Sequence, residues 1–161
     1  MARGSRKSGK GKPEAKSPPA SSAPYGVDMS ASAEAVYVDL YKRSQAAETN
    51  GDPTNAICTK FRMVDEAVER IIPRDPMNRR YALRDDFANI FRLQKGRLRI
   101  CWIASSKMRR VCILFISETQ RKEGDANDPY RMFAKLLMSG ELDEHFQRMG
   151  VRKSLPSRLI Q

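Results

Sequence analysis

The sequence predicts an α+β domain, with two N-terminal helices packed on a small antiparallel sheet and further helices after it. Apolar residues recur at helical spacing in two segments before Pro73 and again after Asp128, whereas Phe91 to Ile116 holds strand-like runs joined by short turns. The two kinds of run are segregated along the chain rather than alternating, as in α+β folds and unlike parallel α/β sheets. With 161 residues and 40% hydrophobic content, the chain is long enough for one ordinary core. The ordered domain is expected over residues 29–150, after a tail of residues 1–28 and before a short polar tail of residues 151–161.

Met1 to Asp28 consist largely of Lys, Ser, Pro, Ala and Gly without apolar periodicity, a composition that cannot offset the entropy of folding, so disorder is expected there. Ser30 or Ser32 can cap a first helix whose apolar positions Ala33, Val36, Tyr37, Leu40 and Tyr41 end at Asn50-Gly51. Asp52-Pro53 offers a cap followed by proline at the first helical position, and Ile57, Phe61, Val64, Val68 and Ile71 form the stripe of a second helix that Pro73 stops. Arg74 to Arg84 reads as a loop, with a short edge strand near Tyr81 to Leu83. After a central hairpin, Arg110 to Ile116 is apolar on both faces and is expected to be a covered inner strand. Asp128 and Pro129 start a further helix that Gly140 ends, and a last helix runs from about Glu141 to Met149 before Gly150.

The hairpin is Phe91-Arg92-Leu93-Gln94-Lys95-Gly96-Arg97-Leu98-Arg99-Ile100. A two-residue turn at Lys95-Gly96 pairs Arg92 with Arg99 and Leu93 with Leu98. It places Phe91, Leu93, Leu98, Ile100 and Trp102 on one face, and Arg92, Gln94, Arg97 and Arg99 on the other. Like charges directly opposite one another destabilise a sheet by roughly 0.2–1 kcal/mol per pair, so the second face is either a solvated surface with carboxylate partners or a site for an anion.

The charge distribution bears on that choice. The formal net charge is +11, and pI is about 9.9, values that suit a polyanionic partner. Between Arg79 and Arg110 there are ten Lys and Arg residues against only Asp85 and Asp86, and the first 28 residues hold six against Glu14 and Asp28. No apolar run approaches the roughly 20 residues of a membrane span, and the N-terminus lacks the apolar stretch of a secretory signal, so a cytoplasmic protein is expected. Cys58, Cys101 and Cys112 are widely spaced within apolar segments and read as small buried hydrophobes. No metal site or cofactor is expected. The single histidine, His145, lies far in sequence from the arginines, so a two-histidine ribonuclease mechanism is not available. Phosphate-binding loops of the GxxxxGK[ST] or GxGxxG kind are absent from the sequence.

Arginine donates bidentately to phosphate and stays charged at any working pH. If the phosphodiester is RNA, its own 2′-OH can be the nucleophile, and the protein need only orient the backbone and stabilise the developing charge. DNA lacks that hydroxyl.

These residues are similar to a known family. The hairpin Phe91 to Ile100 resembles that of RelE/ParE-superfamily toxins, in which a basic strand, a glycine turn and a second strand carrying arginine recur. The longer stretch Arg97 through Glu141, including Asp128-Pro129-Tyr130-Arg131-Met132-Phe133 and Gly140, resembles the YhaV-type toxins in particular, and the two preceding helices fit the same group. The resemblance spans roughly Ser30 to Phe146. It implies a metal-independent endoribonuclease toxin of a type II toxin–antitoxin system, cleaving mRNA either free or on the ribosome and silenced by a cognate antitoxin. It also implies catalytic roles for Arg92, Arg99, Arg121 and Tyr130, with Lys95, Arg97 and Lys122 as RNA-binding cations. Gln94 departs from the family pattern where a second basic residue often stands, and Leu98 where an aromatic is usual. Two further readings stay open: a non-catalytic RNA- or protein-binding module on the same fold, and a basic structural or DNA-associated protein. Tyr130 likewise either contributes a hydroxyl to the site or begins the apolar stripe continued by Phe133 and Leu137.

Overall fold

A computed structural model describes residues 23–83, 87–118 and 128–154. The expected Arg121 and Lys122 sites, Asp85-Asp86 and most of both tails lie outside these residues. Strand β1 (Gly26–Met29) is followed by helix α1 (Ala31–Thr49) and helix α2 (Ala56–Glu66), then by strands β2 (Phe91–Lys95), β3 (Leu98–Ser105) and β4 (Arg110–Ser117), and finally by helices α3 (Pro129–Ser139) and α4 (Asp143–Met149). The sheet order is β1-β4-β3-β2. As expected, the fold is α+β, with the two N-terminal helices on one sheet face; α3 and α4 lie on the other.

Strand β1 corrects the expectation that structure begins after Asp28. It pairs in parallel with β4, from Gly26 opposite Arg110 to Met29 opposite Ile113, so the sheet is mixed rather than antiparallel throughout. Four residues containing a glycine and an aspartate give no alternation to read. What fixes the strand is tertiary: Asp28 accepts two hydrogen bonds from Arg110, at 2.7 and 2.6 Å. That pairing holds the Asp28 carboxyl below the usual carboxylate range. Gly26 makes room for the guanidinium, since a Cβ there would sit 2.7 Å from Arg110 Nη1.

Helix α1 is capped by Ser30, whose hydroxyl accepts from the Ala33 N–H at 3.1 Å and donates to the Leu114 carbonyl at 2.8 Å. One side chain thus starts the helix and ties it to β4. Helix α2 begins three residues later than the Asp52-Pro53 reading. Asn55 is the cap, its side chain accepting from the Ile57 N–H at 3.0 Å, while the Asp52 carboxylate is occupied by Thr54 and Asn55 in the preceding turn. Pro73 does not stop the helical path either. A widened turn over Ala67–Ile71, with the Ile72 N–H reaching the Ala67 carbonyl, accommodates the proline ring and carries the helix on to Arg74. Tyr81 belongs to a 3₁₀ turn over Arg79–Tyr81, and the expected edge strand is reduced to a single bridge between Ala82 and Phe91.

β4 is the covered inner strand that its sequence predicts. Its register with β3 shifts between Cys101 and Trp102, leaving Leu114 as an extra residue. The bulge lets both Leu114 and Phe115 enter the core under α3 and α4, while Ile113 and Ile116 face α1 and α2. Trp102, Ile100, Leu93, Leu40, Val64 and Ile72 fill the first core. Phe133, Leu137, Leu142, Phe146, Cys112 and Ile103 fill the second. The three cysteines are buried free thiols, and burial pushes Cys101 up to about 12 and Cys112 to about 11. Val151 packs on the second core, and Lys153 donates to the Leu137 carbonyl at 3.0 Å and pairs with Asp143, so the first residues after α4 are anchored to it. Among the described residues no helix is long and apolar enough to cross a membrane.

Candidate active site

The hairpin turn is Gly96-Arg97, one residue later than expected. Gly96 has φ 57° at the first central position, where primed hairpin turns favour glycine. The register therefore pairs Lys95 with Leu98, Gln94 with Arg99, Leu93 with Ile100 and Arg92 with Cys101. Because the pairing moves by two positions, every side chain that stays in a strand keeps the face that the sequence assigned to it, while Arg97 passes into the turn. Its cross-strand partner changes. Arg92 and Arg99 are diagonal neighbours rather than a directly opposed pair, which relieves the like-charge contact without separating the two guanidiniums.

On the face toward α3 and α4, the row Arg92–Cys101–Phe115 lies beside the row Gln94–Arg99–Ser117. Apolar side chains of the helices cover the sheet as far as Phe115, whose ring stacks on Phe133 at 5.2 Å. Beyond it, the hairpin end of the sheet is polar. Tyr130, in the first turn of α3, sits over that boundary because Asp128 accepts from its N–H at 3.1 Å and Pro129 presets the first helical position. The Arg92 guanidinium carbon lies 5.5 Å from the centroid of the Tyr130 ring and that of Arg99 lies 5.8 Å from it. Both distances are within the range of cation–π attraction.

Arg99 is only 6% exposed, so its part of this face is not a solvated surface. Its Nη1 donates to the carbonyl of the turn residue Arg97 at 3.3 Å, and Ser117, also buried, pairs with it on β4. Cys101, beneath the two arginines, stays protonated, since their attraction for a thiolate is smaller than the cost of burying one.

The other expected cations fall differently. Arg97 is exposed in the turn, next to the Arg99 row. Lys95 is exposed at the strand end and, by alternation, on the α1–α2 face with Leu93, so it is not brought to the Arg92–Arg99 side. His145 is half-buried on α4, its Nδ1 3.0 Å from Arg148 Nη2. Two residues that the sequence reading left without a role, Arg80 and Gln94, line a cleft with Arg92 at the β2 edge. Arg80 was visible only as part of the basic stretch, and Gln94 only as a departure from the family pattern. Among the described residues, no cluster of three or more His, Cys, Asp or Glu side chains is placed to hold a metal ion.

A buried and a half-buried guanidinium sharing one aromatic platform can bind a phosphodiester and stabilise added charge on it. Residues 31–153 match the family model of toxins with endonuclease activity, of toxin–antitoxin systems. The chain belongs to this family, the YhaV toxins. It is also similar to a solved toxin–antitoxin complex, RelBE2 from Mycobacterium tuberculosis, with 22% identity over 59% of this chain and 98% of that one and a TM-score of 0.42. No curated protein matches the sequence significantly.

Proposed function

We propose that this endonuclease toxin cuts mRNA, free or on the ribosome, in the cytoplasm, and that the cut is made by the RNA's own 2′-OH. The reading is supported above all by Arg92 and Arg99 converging on Tyr130 at the polar end of the sheet. In this mechanism the 2′-oxygen attacks the adjacent phosphorus, its proton leaves, and the bond to the 5′-oxygen breaks as that oxygen takes up a proton. The products are a 2′,3′-cyclic phosphate and a free 5′-OH. Arg92, Arg99 and Arg121 hold the phosphate and stabilise its extra charge, the Tyr130 ring fixes the two hairpin guanidiniums, and its hydroxyl serves in proton transfer. Arg97, Lys95 and Lys122 attract the flanking backbone, a contribution that weakens with salt. No cofactor takes part.

Purified protein is expected to cut labelled mRNA in the presence of EDTA, leaving cyclic phosphate ends, and to spare DNA of the same sequence. Equal cutting of DNA, or loss of cutting with EDTA, would refute the 2′-OH mechanism. Comparison with and without ribosomes decides where the substrate is met. The partner that silences the toxin is an antitoxin with an acidic segment laid over the guanidiniums, competing with RNA. Equal affinity of that antitoxin for wild type and an Arg92/Arg99/Arg121 triple alanine variant would rule out direct masking.

A further inference from the structure

β2 is an outer strand of the sheet, and a cleft of about 270 Å³ runs between it and the 3₁₀ turn Arg79–Tyr81. Its lining is Arg80, Tyr81, Arg92, Leu93 and Gln94. Arg80 is exposed yet held in place. Its guanidinium carbon lies 4.6 Å from the Tyr81 ring centroid, and its Nη2 donates to the Tyr81 hydroxyl at 2.6 Å. Tyr81 is itself buried and packed edge-on against Trp102, with centroids 5.4 Å apart. A guanidinium plane braced in this way loses little freedom when a second flat group stacks on it. Leu93 and Tyr81 supply apolar surface. Gln94 supplies an exposed amide that both donates and accepts, opposite Arg99 in the register. Arg92 belongs to both places, lining the cleft and lying against Tyr130.

This combination suits a flat heterocycle with donor and acceptor edges, covalently joined to a phosphate. The volume lies just below the range of sites for drug-sized ligands, as a single planar group requires. An acidic side chain would use the arginines but has no need of the amide acceptor or the apolar wall. We infer that the cleft seats one nucleobase of the RNA, next to the phosphate held by Arg92 and Arg99, with Arg80 stacking on the base and Gln94 reading its edge. Single-stranded RNA is commonly read in this way, by stacking on aromatic or guanidinium planes and by hydrogen bonds to base edges. The inference rests on RNA being the substrate, and it gives the toxin a preference among bases at one position beside the cut.

The test uses fluorescent 2′-O-methyl oligonucleotides of A, C or U, about twelve nucleotides long, which lack the attacking hydroxyl. Full-length wild type is compared with Arg80→Ala, Gln94→Leu and, as a charge control, Arg62→Ala on α2. Wild type is expected to bind the three oligonucleotides unequally. Arg80→Ala should weaken all of them by roughly 5- to 30-fold, the loss of one stacked base. Gln94→Leu should bring the three affinities within about twofold of one another and redistribute the cut sites on mRNA, as a lost base-edge contact requires. Arg62→Ala should stay within about twofold of wild type, since it removes only one distant charge. If the two cleft variants bind and cut like Arg62→Ala while wild type binds and cuts RNA, the cleft is not a base site and the cleavage reading survives. If instead they lose affinity for poly-glutamate and not for RNA, the cleft takes an acidic chain and the inference is overturned. Wild type that neither binds nor cuts RNA removes the substrate reading and this inference together.

Discussion

The two faces of the sheet are built from the same four strands and are finished differently. The face under α1 and α2 is covered by Leu40, Val64, Ile72 and Tyr81 over Leu93, Ile100 and Trp102 and turns polar only at Lys95, at the strand end. The face under α3 and α4 is apolar only as far as Phe115, then turns polar at Arg99, Ser117 and Gln94. Burial on the first face supplies stability. The second face uses part of its area for charge, and it keeps that charge in place by packing it on an aromatic ring rather than by leaving it in water. Substitutions on the two faces should therefore separate, the first lowering stability and the second lowering activity.

The largest effect is expected from Trp102→Ala. The indole is fully buried, packs against Tyr81 and Phe91, and donates from Nε1 to the Pro76 carbonyl at 2.9 Å. Truncation should cost about 3–5 kcal/mol in urea unfolding, through lost burial and a cavity. A cost below about 1 kcal/mol, the level of an ordinary surface change, would mean that this face does not carry the fold.

Arg99→Ala comes next and should act on the other quantity. Single-turnover RNA cleavage is expected to fall roughly 10²- to 10³-fold, as for loss of one fixed transition-state donor. Because Arg99 is buried against Tyr130, some stability should be lost as well. Arg99→Lys resolves the ambiguity: it keeps charge and most of the packing but loses the planar fork, and should still cut slowly while unfolding near the wild-type midpoint. Full toxicity of Arg99→Lys in a growth assay would remove bidentate phosphate binding from the mechanism.

Tyr130→Phe should be smaller again. The ring that holds Arg92 and Arg99 remains, and only the hydroxyl goes. If that hydroxyl transfers a proton, cleavage should slow by roughly 10²-fold at unchanged RNA affinity and melting temperature. An unaltered rate would leave Tyr130 as the platform for the arginines alone, and Tyr130→Leu, which removes the platform too, would then be the variant that slows cleavage.

Local chemistry made some of this legible in the sequence. Asp128-Pro129 and Gly140 bound α3 as read, because capping and left-handed backbone are properties of a few neighbouring residues. The faces of the hairpin were also legible, since alternation survives a register change of two. The register itself was not: whether Gly96 occupies the first or second turn position depends on the twist of strands not yet paired. β1 was hidden because a parallel partner 84 residues away, Arg110 for Gly26, defines it. The arginines could be named in advance, but the burial of Arg99 could not, because charge predicts exposure until a ring such as Tyr130 is known to cover it.

The smallest effect concerns Glu118, which continues β4 past Ser117 and reaches back to the first face. Its Oε1 accepts from Arg43 on α1 at 2.8 Å, and its Oε2 lies 3.1 Å from Lys60 Nζ on α2. Burial pushes the Glu118 carboxyl up, but the hydrogen bond from Arg43 and the ion pair with Lys60 outweigh it and leave the group below the ordinary glutamate value. A carboxyl whose pKa is lower folded than unfolded stabilises the fold fully above the unfolded value, and that stabilisation is lost as pH falls through the folded one. Arg43 is 46% exposed and Lys60 35%, so solvent screening limits the contribution to about 0.5–1 kcal/mol. Glu118→Gln should thus be less stable than wild type by that amount at neutral pH. The gap should close as pH falls below the ordinary carboxylate range, where the wild-type carboxyl also protonates. Asp28, depressed by Arg110, titrates in the same acid window in both proteins, so only the difference between them reports Glu118. A gap unchanged between neutral and acid pH would show that Glu118 holds α1 and α2 to the end of β4 by packing, not by charge.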